Sequence, residues 1–209
     1  RRAIRALTLQ PGERLLDVCA GTADVGLGAV AAVPGVQVVG VDFAGAMLAK
    51  GQEKIRAAGQ TRSILLVRGD ATCLPVPDAS VDALTIAFGI RNVQDTRAAC
   101  REVFRVLRPG GRLAILEFGL PHVPGLRQLY AWYFLRVLPR VGRAVSKHGA
   151  AYSYLPASVG AFPWGEAFLS LLKEAGFAEG RSRPMTLGVV YLYDARKPLS
   201  GAGSRAAGA

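Results

Sequence analysis

Residues 14–24 read RLLDVCAGTAD, an apolar run that ends in a turn of small residues. The apolar run predicts a strand at 14–19, and the residues after the turn, 24–32, are typical of a helix. The same order follows at once, with a second strand predicted at 37–42 and a second helix at 46–58. Apolar strands joined by helices require right-handed crossovers, so this stretch predicts a mostly parallel sheet covered on both faces.

The alternation continues through the first two-thirds of the chain. Further strands are predicted at 64–68, 81–88 and 112–118. The clearest helix is predicted over 95–107, because its apolar residues recur at i, i+3, i+4 and i+7, and Pro109-Gly110-Gly111 is predicted to end it. The fold class is therefore α/β, a doubly wound sheet in which ligands bind beyond the carboxyl ends of the strands.

The later part of the chain departs from this pattern. Residues 119–163 are rich in proline and aromatic residues, and we interpret them as an insertion or lid within a single domain spanning 1–197. A helix is predicted at 166–175 and a late strand at 189–195. The tail, 198–209, is rich in Gly, Ala and Ser and is predicted to be disordered.

Composition limits the class of protein. With 51% apolar and 20% charged residues, the 209-residue chain has enough of both for a core and a solvated exterior. No run of about 18 apolar residues occurs, so no membrane span is predicted. Three cysteines without CxxC spacing and only two histidines argue against a disulfide framework or a metal site. The expected location is the reducing cytoplasm.

The chain is strongly basic, with a formal net charge of +11. Residues 101–150 hold nine Arg or Lys and only two Glu. Such an excess suits a nucleic acid or an anionic membrane surface, and it also suits an Arg-rich exterior that is merely solvated.

Small and acidic residues follow the predicted strands. Gly21 and Thr22 lie in the first turn, where a ligand could approach the backbone N–H groups of the next helix, although a plain turn is an equal alternative. Asp42 ends the second strand and could bind both hydroxyls of a ribose, or cap the next helix. Asp70 follows the third strand and could accept a hydrogen bond from an adenine amino group, or be a solvated loop acid.

Acidic residues after three successive strands, together with LRPGG at 107–111, resemble class I S-adenosylmethionine-dependent methyltransferases. The resemblance implies a Rossmann-like sheet of seven strands in the order 3-2-1-4-5-7-6, with an antiparallel last strand. It also implies S-adenosylmethionine as co-substrate. A NAD-dependent dehydrogenase would share the first two signals but not the later ones.

A closer resemblance runs from Arg14 to Lys197. The stretch FGIRNV at 88–93, followed by Asp95, is similar to the ubiquinone/menaquinone-biosynthesis C-methyltransferase family. Further matching stretches are LPVPD at 74–78, LEF at 116–118, LPRVG at 138–142, YSYL at 152–155 and AGF at 175–177. Family members begin earlier than Arg1, and the resemblance implies that their additional segment helps to close the site.

The resemblance also implies contacts with the methyl donor. The residues concerned are Thr22, Asp42, Asp70 and Ala71, and we predict that the neighbouring Gly21 and Phe43 bind the donor as well. Two departures are visible, since Ala23 stands where the family usually has Gly, and Ala87 where some members have Ser. We expect these departures to weaken donor binding at most.

The family acts on polyprenylated quinols, either demethylmenaquinol or a methoxy-benzoquinol, and we favour demethylmenaquinol. The reduced form is the expected substrate, because a deprotonated hydroxyl enriches the adjacent ring carbon in electrons. Arg91 is predicted to stabilise the phenolate and Asn92 to orient a ring oxygen. Tyr152 and Tyr154 are predicted to bind the ring, and His148 to accept a proton. The alternatives are a loop tie for the first two residues, packing for the tyrosines and no role for the histidine.

The expected partners follow from this interpretation. Residues 126–147 mix aromatic and basic side chains, and we predict that they cap the quinol pocket and dock reversibly on the anionic inner face of the plasma membrane. A core-packed lid with a solvated basic edge is the alternative. No nucleic acid is expected, although an RNA methyltransferase and a non-catalytic donor-binding protein remain rival interpretations. A homodimer is left open.

Overall fold

The computed structural model describes residues 1–121, 125 and 158–199. Most of the predicted insertion and residues 200–209 of the predicted tail lie outside the described residues. So do three residues of the predicted site, His148, Tyr152 and Tyr154.

Seven strands of the described chain form one sheet. They are β1 (Arg14–Val18), β2 (Gln37–Asp42), β3 (Ile64–Arg68), β4 (Val81–Ala87), β5 (Leu107–Phe118), β6 (Ala178–Met185) and β7 (Val190–Arg196). Their order across the sheet is β3-β2-β1-β4-β5-β7-β6. Strands β1 to β5 pair in parallel, and β7 runs antiparallel to both β5 and β6. The predicted fold class and strand order are confirmed.

Helices cover both faces of the sheet. They are α1 (Arg2–Leu7), α2 (Asp24–Ala32), α3 (Gly45–Ala57), α4 (Thr96–Val106) and α5 (Glu166–Glu174). Successive residues of β1 point to opposite faces, so Leu15 packs with α1, α2 and α3, while Leu16 packs with α4 and α5. Both leucines are fully buried. Two apolar cores therefore hold the sheet between two layers of helices.

The junction between α4 and β5 corrects one expectation. The helix ends at Val106 and β5 begins at Leu107, five residues before the predicted start of the strand. Pro109-Gly110-Gly111 therefore does not end the helix but lies within the strand, as an irregularity where the pairing with β4 shifts register. Gly110 has a φ of 77°, which a residue with a side chain rarely adopts.

Two elements were not predicted from the sequence. Helix α1 has six residues and precedes the first strand signal. Strand β6 has the sequence AEGRSRPM, and its residues are exposed or half-buried, because it forms the edge of the sheet. An edge strand tolerates polar residues and Pro184, so its sequence lacks the apolar pattern of the inner strands.

Lys197, directly after β7, forms hydrogen bonds with the junction between α4 and β5. Its backbone N–H donates to the carbonyl of Gly111, and its carbonyl accepts from Gly110, both at 2.9 Å. Its ammonium group donates to the carbonyls of Phe104 and Leu107, each at 2.7 Å, and lies 4.5 Å from the Phe104 ring centroid. A cation here satisfies carbonyls that the helix end leaves free.

Within the described residues, no helix combines the length and the apolar character that crossing a membrane requires.

Candidate active site

A cavity of about 710 Å³ opens at the carboxyl ends of β1, β2, β3 and β4. Its walls come from the residues that follow these strands, among them Cys19, Asp42, Asp70 and Asn92. Strand order reverses at β1, which lies between β2 and β4, so the cavity lies at the switch point of a doubly wound sheet. Its volume is typical of sites for small organic molecules.

Asp42 holds two backbone segments at the cavity wall. Its Oδ2 accepts a hydrogen bond from the backbone N–H of Gly21 at 2.7 Å, and its Oδ1 accepts from the N–H of Ala44 at 2.8 Å. The carboxylate thus orders the turn after β1 and the entry to α3. An ionised carboxylate has about four acceptor sites, so these bonds leave capacity for a diol.

Asp70 lines the same cavity from the end of β3. Its Oδ1 accepts from both the backbone N–H and the hydroxyl of Thr72, each at 2.8 Å. These hydrogen bonds, the backbone one first, hold the pKa of the Asp70 carboxyl below its usual value. Asp70 is therefore an ionised acceptor at neutral pH, beside Ala71, which also lines the cavity.

The structure brings some predicted residues together and leaves others beside the cavity. Asp42, Phe43, Asp70, Ala71 and Asn92 all line it. Gly21, Thr22 and Arg91 do not belong to its lining. Gly21 is connected to the cavity by the hydrogen bond that its backbone N–H donates to Asp42. The hydroxyl of Thr22 instead donates to Asp24 at 2.7 Å and accepts from Lys54 at 2.8 Å.

Arg91 forms a buried ion pair with Glu117 at the end of β5. Its Nη1 donates to Glu117 Oε1 at 2.7 Å and to the Phe88 carbonyl at 2.5 Å, while its backbone N–H donates to Oε2 at 3.2 Å. The side chain of Glu117 is fully buried and that of Arg91 is 10% exposed. Burial raises the pKa of Glu117, and the charge and hydrogen bonds of Arg91 act in the opposite direction.

Asn92 and the start of α4 complete the wall. Asn92 ends a short 3-10 turn at Ile90–Asn92, which the bond from Arg91 to Glu117 ties to β5. Asp95 caps α4, with its Oδ1 accepting from the N–H of Ala98 at 2.8 Å. Asp95 and Ala98 both line the cavity.

Cys19 is a wall residue that the sequence reasoning missed. It lies in the turn after β1 with a φ of 58°, in the left-handed region that favours glycine. Burial, and next the neighbouring carboxylates, raise the pKa of its thiol to about 12, so it is a neutral thiol at physiological pH. Its place in the small-residue turn was the available signal.

Asp17 is a second residue that was not singled out from the sequence. It lies within β1 and is only 1% exposed. Burial raises the pKa of its carboxyl to about 7, and the nearby charge of Asp42 acts in the same direction.

Within the described part of the chain, no group of three or more His, Cys, Asp or Glu side chains is placed to hold a metal ion.

The curated relatives are methyltransferases by name. A Geobacter sulfurreducens protein named ubiquinone/menaquinone biosynthesis C-methyltransferase UbiE is 42% identical over 200 residues, which is 95% of this chain and 78% of the relative. A Thermus thermophilus protein named demethylmenaquinone methyltransferase is 42% identical over 198 residues, or 95% of this chain and 89% of the relative.

Solved structures share the fold at low sequence identity. A SAM-dependent methyltransferase from Aquifex aeolicus superposes with a TM-score of 0.66 at 18% identity, covering 93% of this chain and 87% of that one. A phosphoethanolamine N-methyltransferase from Haemonchus contortus, solved with S-adenosyl-L-methionine, gives 0.71 at 17% identity, covering 94% and 52%.

The family model described as the ubiE/COQ5 methyltransferase family matches residues 1–197. With the cavity at the switch point of its sheet and relatives of this kind along nearly its whole length, the chain belongs to the ubiE/COQ5 methyltransferase family.

Proposed function

We propose that this chain transfers a methyl group from S-adenosylmethionine to a ring carbon of a polyprenylated quinol, with demethylmenaquinol as the acceptor. The observation that carries the proposal is the single cavity that combines Asp42 and Asp70 with Asn92. Asp42 and Asp70 are suited to binding an adenosyl group, and Asn92 is suited to binding a ring oxygen. The acceptor is suggested by the name of the Thermus thermophilus relative.

The donor end is formed by the residues after β2 and β3. Asp42 keeps acceptor capacity for the ribose hydroxyls, Asp70 accepts a hydrogen bond from the adenine amino group, and Ala71 contacts the donor beside it; all three line the cavity, which supports these roles. Phe43 is 69% exposed at the same wall and offers an apolar surface. Gly21 and Thr22 act from the adjoining turn, Gly21 by holding Asp42 in place. When bound, the donor supplies a methyl group on a sulfonium centre, so the protein needs no nucleophile of its own.

The acceptor end begins at the turn after β4. In the overall reaction a carbon–carbon bond forms at the ring, the sulfur–methyl bond breaks, and one proton leaves the acceptor. A quinol with one ionised hydroxyl is the reactive form, because its oxygen donates electron density to the adjacent carbon. Asn92 orients a ring oxygen, and Arg91, which lies beside the cavity lining, stabilises the phenolate through water.

Three further residues belong to the proposal through the family resemblance alone. Tyr152 and Tyr154 bind the ring, and His148 accepts the proton that the quinol loses. Residues 126–147 cap the quinol and contact the anionic membrane surface from which the prenylated substrate comes.

Methylation of a benzoquinol in ubiquinone synthesis is the second candidate. It is favoured by the printed name of the Geobacter sulfurreducens relative, which includes both ubiquinone and menaquinone synthesis. The two candidates share the donor site and the chemistry, and they differ only in the acceptor ring.

A direct assay tests both candidates. The purified chain is incubated with S-adenosylmethionine and either a short-chain demethylmenaquinol, its oxidised quinone, or the methoxy-benzoquinol, and products are detected by mass spectrometry. We expect methylation of the reduced naphthoquinol and none of the quinone. Methylation of the benzoquinol alone would show that the benzoquinol, and not demethylmenaquinol, is the acceptor. No methylation of either quinol would contradict the proposed function.

The role of Arg91 is tested by Arg91→Ala. Losing one electrostatic donor of this kind lowers turnover by roughly 100-fold. The affinity for S-adenosylmethionine should stay within about twofold, because Arg91 is not part of the cavity lining. Because Arg91→Ala also leaves the Glu117 carboxyl buried without its partner, the control is Glu117→Gln, which breaks the same ion pair but keeps Arg91. Turnover of Arg91→Ala equal to that of the unmodified chain would remove Arg91 from the reaction.

A further inference from the structure

Arg105, on the last turn of α4, has an acceptor for each of its five N–H groups. Nε donates to Glu102 Oε1 at 2.8 Å, and Nη2 donates to Glu102 Oε2 at 2.7 Å and to the Leu74 carbonyl at 3.0 Å. Nη1 donates to the Val76 carbonyl at 2.9 Å and to Asp78 Oδ1 at 2.6 Å. A guanidinium has five N–H donors, so its capacity is fully used.

Glu102 completes the arrangement from the same helix. Its Oε2 also accepts the backbone N–H of Leu74 at 2.7 Å. The N–H and the carbonyl of Leu74 are thus both bound by side chains of α4. Arg105 and Glu102 are 30% and 18% exposed, so these bonds are only partly open to water. We call Arg105 and Glu102 the α4 clamp.

The segment held by the α4 clamp continues directly from the cavity wall. The clamp binds residues 74–78, the LPVPD stretch, and the preceding residues 69–72 line the cavity. A Cβ on Gly69 would lie 2.8 Å from Cδ of Pro75, so the proline ring packs closely against the wall backbone. The N–H of Cys73 donates to the carbonyl of Asp70 at 3.1 Å. A displacement of 74–78 would therefore displace Asp70.

The helix that carries the α4 clamp also forms part of the cavity. Asp95, which caps α4, and Ala98, in its first turn, line the same cavity as residues 69–72. The α4 clamp therefore connects residues 69–72, through residues 74–78, to the helix whose start forms another part of the cavity lining. A cavity lining fixed in advance lowers the ordering cost of binding a ligand.

We infer that Arg105 is a positioning residue for the donor site, which sets the wall formed by Gly69, Asp70 and Ala71 without touching the ligand. The inference rests on the proposed function in one respect, since it takes this cavity as the S-adenosylmethionine site. It assigns a role to the LPVPD stretch and to an arginine that lies outside the cavity lining.

The chemistry of the α4 clamp requires arginine. Lysine keeps the positive charge but has three donors around a single nitrogen, so it cannot bind Glu102 with two parallel bonds and also reach two carbonyls of residues 74–78. Arg105→Lys therefore tests geometry at constant charge. The control is Arg101→Lys, an exposed position on the same helix.

The experiment measures S-adenosylmethionine binding by calorimetry and the kinetic constants for both substrates. For Arg105→Lys we expect the donor Kd and the donor KM to rise about tenfold, with kcat at saturating donor and the acceptor KM within twofold. Arg101→Lys should leave all four values unchanged. Failure of the unmodified chain to bind S-adenosylmethionine would count against the proposed donor site, and that result is separate from the effect of the variant.

Hydrogen exchange supplies a readout that does not depend on turnover. In Arg105→Lys, peptides covering residues 69–78 should exchange faster, whereas peptides from β1 and β2 should be unchanged. Glu102→Gln is the second variant, in case Arg105→Lys folds poorly, and it should raise the donor Kd in the same direction. An unchanged donor Kd in both variants, or equal losses for donor and acceptor with faster exchange across the whole sheet, would overturn the inference.

Discussion

Gly89 and Cys19, in the turns after β4 and β1, contact each other, and both line the cavity. A Cβ built on Gly89 would lie 2.2 Å from Cβ and 2.7 Å from Sγ of Cys19. Cys19 itself has a φ of 58°. The two turns can approach this closely only because Gly89 has no side chain.

Gly89→Ala should therefore destabilise the fold by about 1–3 kcal/mol, since two Cβ atoms cannot occupy this space without a backbone shift. Cys19→Gly removes the opposing atoms and also suits the left-handed backbone, so the double variant should recover most of the loss. Urea unfolding of the two single variants and the double variant measures this coupling. Simple additivity of the two effects would contradict the contact.

Asp17 makes stability depend on pH. Its pKa rises from 3.8 to about 7 on folding, because burial disfavours the charge. Between these values the folded chain holds a proton on Asp17 that the unfolded chain has released, so the contribution of Asp17 to the free energy of unfolding should fall as the pH rises from 4 to 7 and then level off. Asp17→Asn should flatten this part of the profile. Urea unfolding at several pH values checks it, and an equally steep fall in the variant would refute the assignment.

At the scale of elements, the inner part of the sheet could be predicted from the sequence because each strand carries its own apolar signal. Helix α4 could also be predicted, since one face is apolar and Asp95 marks its start. Strand β6 could not, because an edge strand needs no buried face. The continuation of β5 through Pro109-Gly110-Gly111 depends on pairing with Val81, a long-range contact that local residues do not encode.

The site divides in the same way. Asp42 and Asp70 follow directly from strand ends, so their shared edge was predictable from the parallel order. The pairing of Arg91 with Glu117 joins residues 26 positions apart, and the α4 clamp joins α4 to a loop before β4. Such contacts depend on how helices cross the sheet, which periodicity alone does not specify.

The start of α4 provides a prediction for an element. Asp95→Ala removes the side-chain acceptor for the N–H of Ala98 and should lower stability by about 1 kcal/mol. Asp95→Asn keeps an acceptor oxygen and should cost only a fraction of that. Thermal and urea unfolding of the two variants compare them directly. Equal losses would indicate that the negative charge, rather than the cap, is what stabilises the helix.

For the whole molecule, the net charge of +11 is the property that acts over the longest distance, through electrostatic attraction to anionic surfaces. Charge attracts a protein to an anionic surface over roughly 8 Å at physiological salt, and aromatic side chains add contact once it arrives. A quinol with a prenyl tail is held in such a surface. Attraction to that surface would bring this chain close to the acceptor proposed above.

Flotation with vesicles tests this attraction. We expect binding to vesicles that contain anionic lipid, weak binding to neutral vesicles, and release at about 1 M salt. Replacing Arg136, Arg140 and Arg143 by Gln should reduce binding strongly. The matched control replaces Arg1, Arg2 and Arg5, which are exposed at or beside α1, and changes the net charge by the same amount. Equal effects of the two triple variants would mean that residues 126–147 have no special part in docking.

The hydrogen bonds of Lys197 limit how far the C-terminal end of this protein can be truncated and where another protein can be fused to it. Removing Lys197 would uncover the carbonyls of Phe104 and Leu107 and free the Gly110-Gly111 backbone. The helix loosened in this way is the one that carries the α4 clamp and, at its other end, borders the cavity. Affinity tags and fluorescent proteins are therefore best fused after Leu199. A variant that ends at Arg196 should express poorly and bind S-adenosylmethionine more weakly.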